Sequence, residues 1–183
     1  MGIFDKLKGG KKDKVFEDEL MDTQSELIAL TLNMVGKIFA YCSIEAKSQM
    51  FNVFFELDGK IKTLNEMGIV PSRAMELLRT GTHGLDKIKE VCAKYNYPTP
   101  TEIKMIYDVK TKKFNVGYQY KEICSAKTNI SAGEVFMNWV TAKKNESTKK
   151  TKVRPAGRAF PIPKTEPHRF PLAELAVALG CGT

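Results

Sequence analysis

The chain has 183 residues, of which 43% are apolar or aromatic, and a formal net charge of +8. That length suits one domain with a real core, and no run of about eighteen apolar residues offers a helix to a bilayer. The charge is unevenly spread: residues 1–14 hold five lysines against two aspartates, residues 15–142 hold fifteen basic and sixteen acidic side chains, and residues 143–183 hold nine basic and three acidic. The body is therefore close to neutral, and the basic excess belongs to the ends.

Residues 1–14 read as a flexible basic lead, with Gly9 and Gly10 followed by Lys11 and Lys12. Ile3, Phe4 and Leu7 make a single apolar turn, too little to bind a membrane firmly. The lead has neither the apolar block of a secretory signal nor the Ser or Thr at position six of a myristoylation site, so a cytoplasmic protein is expected.

A helix is predicted from Val15 to about Val35, with Phe16, Leu20, Leu27, Ile28 and Val35 on one face and Gly36 as its stop. Glu17, Asp18, Glu19 and Asp22 crowd its start, where the helix dipole favours negative charge and where an electronegative surface for a basic partner would also form. From Lys37 to Glu45 the period changes to two: Ile38, Ala40, Cys42 and Ile44 oppose Phe39, Tyr41 and Ser43. A polar gap at residues 46–49 leads to a strand over Met50–Leu57, an Asp58-Gly59 turn and a short strand from Lys60 to Leu64, a three-stranded meander.

Pro71 can begin a helix that Gly81 interrupts, and a second helix is expected from Leu85 to Tyr95 with Leu85, Ile88, Val91 and Cys92 inward. Between them Thr80–Gly84 reads as a loop carrying His83. Asp86 and Glu90 are further carboxylates on the outer side. After Pro98 and Pro100, residues Ile103 to Tyr120 form the clearest hairpin of the chain. Ile103, Met105 and Tyr107 share a face with Phe114, Val116, Tyr118 and Tyr120, and Asp108 opens a polar turn. Ser131 and Glu134 have capping-box spacing for a helix to about Ala142, with Val135, Phe136, Trp139 and Val140 on one side and Trp139 as a core anchor.

Beyond Lys143 the chain is Lys-rich, and after Val153 its composition changes: five of the eight prolines fall in residues 153–183, while Asn is absent. This tail reads as a late addition, a readthrough or a frameshift product, outside the fold. The domain is expected at residues 15–142, an α+β fold in which an antiparallel sheet of about five strands, meander plus hairpin, packs against helices.

Chemistry is sparsely represented. There is no phosphate loop, the four cysteines (Cys42, Cys92, Cys124, Cys181) are widely spaced, and the two histidines stand apart. No pattern marks a metal site, a cofactor site or a catalytic pair, so a binding protein and not an enzyme is expected, with His83 the one weak alternative. A second alternative is nucleic-acid association through the basic ends.

The phrases KIFAYCSIEAKSQMFNVFFELDGKIKTLNE (residues 37–66), PTEIKMIYDVKTKKFNVGYQY (residues 100–120) and GEVFMNW (residues 133–139) resemble the YezG-like immunity proteins of bacterial polymorphic toxin systems. The hairpin turn departs from that family, which commonly has Gly where Lys112 stands. The resemblance, over about Val15 to Ala142, implies a cytoplasmic protein that binds a co-encoded toxin, often a nuclease, and blocks it by occlusion. It carries over no catalytic residue. Against a basic toxin the candidate contacts are Glu17, Asp18, Glu19 and Asp22, then Asp86 and Glu90.

Overall fold

The computed structural model describes residues 11–31, 36–45, 48–124 and 129–152. The chain divides into two units, Met1–Val153 and Arg154–Thr183, and the second lies wholly outside the described residues. Five strands form one antiparallel sheet: β1 (Lys37–Glu45), β2 (Ser48–Leu57), β3 (Lys60–Thr63), β4 (Glu102–Asp108) and β5 (Lys113–Gln119), in the order β3-β2-β1-β4-β5. The fold class is α+β. The meander turns at Asp58 and Gly59, with φ of 50° and 75°, the left-handed pair of a tight hairpin. The later hairpin joins the free side of β1, which places β1 at the centre of the sheet.

Two helices cover one face of the sheet: α1 (Lys11–Ala29) and α2 (Pro71–Tyr95). Their shared core holds Phe16, Leu20, Leu27 and Ile28 of α1, Leu85, Ile88 and Cys92 of α2, and the even-numbered β1 residues Ile38 to Ile44. Met105 and Ile103 of β4 join it, with Phe114, Val116 and Tyr118 of β5 partly buried at its border. On the other face α3 (Ala132–Lys152) lays Phe136 and Val140 on Phe39, Tyr41, Phe54 and Ile61. Trp139 is half-buried there, its ring edge-on to Phe54 at 4.9 Å and to Phe39 at 5.8 Å. Both faces of β1 are therefore buried, which the alternation of apolar and aromatic residues on that strand requires.

Several boundaries differ from expectation. α1 begins at Lys11, inside the predicted lead, and ends at Ala29; Thr31 closes it, donating from its N–H (2.9 Å) and hydroxyl (2.7 Å) to Ile28 O. Val35, predicted on its apolar face, lies outside the described residues. Gly36 is not the helix stop: at φ 117° it enters β1, and a Cβ there would stand 2.1 Å from Glu56 O. Ser48 and Gln49 belong to β2, so the polar gap shrinks to residues 46–47. The two predicted helices before Tyr95 are one helix of 25 residues, and Thr80–Gly84 is helical. Gly81 and Gly84 sit where α2 crosses Phe51 and Leu27: added Cβ atoms would come within 2.0 Å and 2.6 Å of those side chains. Close packing there outweighs the poor helix propensity of glycine. α3 continues past Ala142 to Lys152, and Lys144 pairs with Glu66 at 2.8 Å, so residues 143–152 belong to the folded unit.

Candidate functional site

The six predicted carboxylates all lie on the α1/α2 layer, but the fold uses them differently. Glu19 accepts from Lys94 Nζ at 2.7 and 2.9 Å and from the Tyr95 hydroxyl at 2.7 Å; those two donors hold its carboxyl below the usual range. Asp86 is paired with Lys89 at 2.6 Å and accepts from Gln49 Nε2 at 3.2 Å, again with a lowered pKa. Both are engaged in holding the domain together. Glu17, Asp18, Asp22 and Glu90 are exposed. On α1 the residues Val15, Asp18 and Asp22 follow one another at helical spacing on the outer side, so acid and apolar surface alternate there.

A second surface was not legible in the sequence. β3 pairs only with Phe54–Leu57 of β2, which among the described residues leaves Ser48–Val53 without a strand neighbour on that side. The first half of α2 and the start of α3 rise beside this stretch and form two depressions that share Asn52, Met75 and Leu78. Met50, Leu78 and Phe136 supply apolar walls, and Met75 and Met137 stand in the lining at 68% and 50% exposure. The strand edge itself is sealed from within: Phe51 N–H donates to Thr82 Oγ1 at 3.3 Å and Val53 N–H to Asn52 Oδ1 at 2.8 Å. Such sealing discourages strand addition while leaving the apolar groove open. Large exposed apolar side chains gathered around a groove mark a contact surface, and methionine adapts well to varied partners.

Polar side chains collect on the α3 face near the start of β4. Ser43 stands opposite Glu102 in the β1/β4 register, and Tyr41 stands opposite Lys104. Lys104 Nζ lies 3.0 Å from Glu102 Oε1 and 5.8 Å from the ring centres of Tyr41 and Trp139. Burial, then the Glu102 charge, pushes the Tyr41 phenol far up, so it stays protonated. Glu45 Oε1 accepts from the N–H groups of Ile123 and Cys124 at 2.9 and 3.0 Å and ties that segment to the sheet. Lys104 is paired with Glu102 and Glu45 with the Ile123–Cys124 backbone, and among the described residues no set of three His, Cys, Asp or Glu side chains is placed to hold a metal. His83 is exposed on α2, in a helix and not in a loop. Cys42 and Cys92 are buried, Cys124 is only half-buried, and Cys181 lies outside the described residues.

Fold and surfaces together describe an α+β domain with an apolar core on each face of its sheet, an acidic helix face and an apolar groove. No protein-family model matches the chain, and no curated protein matches it. Among the described residues no helix is long and apolar enough to cross a membrane.

Proposed function

We propose that the chain is a binding protein that neutralises a cognate bacterial toxin by covering it inside the producing cell, the role implied by its resemblance to the YezG-like immunity proteins. The observation that supports a binding role is the groove between α2 and α3, lined by the exposed Met75 and Met137. A tight complex of this kind buries about 1,600 Å² in total and depends on a few central anchors. The groove supplies anchors, and the exposed Asp18 and Asp22 steer a basic toxin towards the same domain.

The test is co-expression with the product of the neighbouring toxin gene, reading both co-purification and survival of the host. Met75→Glu with Met137→Glu is expected to abolish the complex and the protection while the melting temperature stays within a few degrees of the parent. Survival without complex formation, or a complex indifferent to both substitutions, overturns the assignment of the groove.

A further inference from the structure

We propose that the outer face of the β4–β5 hairpin receives a carboxylate-rich segment of a protein partner, with Gly117 as the point of closest approach. This face is distinct from the groove and does not depend on the toxin reading. α3 covers only part of its side of the sheet: the core beneath it draws on β1, β2 and β3 and on Ile106 alone from the hairpin. Lys113, Asn115, Gly117 and Gln119, which alternate along the same face of β5, are exposed.

The charge of this hairpin is strongly biased. Its two carboxylates are already engaged: Glu102 is buried against Lys104, and Asp108 accepts from the N–H groups of Lys110 and Thr111 at 3.0 Å each. Lys110, Lys112 and Lys113 have no carboxylate partner among the described residues. The hairpin thus carries a local excess of unpaired lysine within a near-neutral body. Opposite charge on a partner is what such a patch attracts.

Gly117 supplies an independent pointer. It sits mid-strand opposite Lys104, its φ is not positive, and an added Cβ would meet only Lys104 O at 4.0 Å. Neither the backbone nor the packing of this domain asks for glycine there, and glycine weakens a strand. Its remaining use is to let another backbone come close. The occupant is protein and not nucleic acid because no row of open rings is offered here for bases to stack on. The hairpin turns its own rings, Tyr107, Phe114 and Tyr118, to the α1/α2 side, and Trp139 on this side is half-buried edge-on to Phe39 and Phe54.

The full chain is titrated at low salt with a fluorescent deca-glutamate peptide and, separately, with a decanucleotide. Deca-glutamate is expected to bind. Lys112→Glu with Lys113→Glu is expected to weaken it by at least about tenfold, and Gly117→Tyr by a similar factor although it changes no charge, whereas Gly117→Ala stays within about twofold. Should Gly117→Tyr melt early, Gly117→Val, a good strand former, replaces it. No measurable peptide binding, a Gly117→Tyr (or Gly117→Val) protein that binds like the parent, or tighter binding of the decanucleotide overturns the proposal.

Discussion

A methyl group at position 81 would stand 2.0 Å from Cδ1 of Phe51, a ring that is 1% exposed and has nowhere to retreat. Gly81→Ala should therefore destabilise the domain in spite of alanine's better helix propensity, by about 1–3 kcal/mol through overpacking. Thermal melting checks this: a raised melting temperature would show that Phe51 yields. Lys112 makes the opposite case. Its φ of 54° is in the left-handed region, at the place where the resembling family commonly has glycine. Lys112→Gly should be neutral or stabilising by up to about 1 kcal/mol, the relief of a strained backbone set against the greater freedom of glycine in the unfolded chain. At this scale the departure at Lys112 was visible in the sequence, and the close packing at Gly81 was not. A glycine looks the same in one dimension whether it ends a helix or lets a ring pass.

Among the elements, α3 is held at its start and again in its second half. Ser131 and Glu134 form the reciprocal box: Glu134 N–H donates to Ser131 Oγ at 3.2 Å, and Ser131 N–H donates to Glu134 Oε2 at 2.7 Å. Ser131→Ala should cost about 1 kcal/mol, read from denaturant midpoints at unchanged slope. Further along, Glu66 accepts from Lys144 Nζ at 2.8 Å and from the N–H and hydroxyl of Thr63 at 2.7 and 3.0 Å. Lys144 first, then the Thr63 N–H, pulls its pKa down to about 2. A carboxyl depressed in the folded state contributes stability that is complete above its ordinary range and is lost as pH falls towards about 2. The melting temperature of the parent should thus fall faster than that of Glu66→Gln on acidification below about pH 5, by a modest amount since the pair is half exposed and solvent-screened. Parallel pH profiles for the two proteins would refute the linkage.

For the molecule as a whole, the predicted acidic surface divides into carboxylates spent on the fold and carboxylates left bare. Asp18→Lys with Asp22→Lys should slow association with a basic toxin at low salt and leave dissociation nearly unchanged, because exposed charge acts mainly on the encounter. Stopped-flow rates at two salt concentrations test it, and unchanged association would remove these residues from the interface. Glu19→Lys differs: it breaks the contacts with Lys94 and Tyr95 that join α1 to α2, so its first effect should be on stability.

By itself the sequence determined the strands, the turns at Asp58-Gly59 and Asp108, the capping box and the inward faces. These are local matters, decided by side-chain period and by the few residues that suit a turn or a helix start. Tertiary structure alone decided that β4 pairs with β1, that α2 runs unbroken through two glycines, that the short β3 leaves a groove beside β2, and that the carboxylates of the β4–β5 hairpin are engaged while the lysines of its turn are not. Each of those depends on which distant segments meet, and no window of neighbouring residues contains that information.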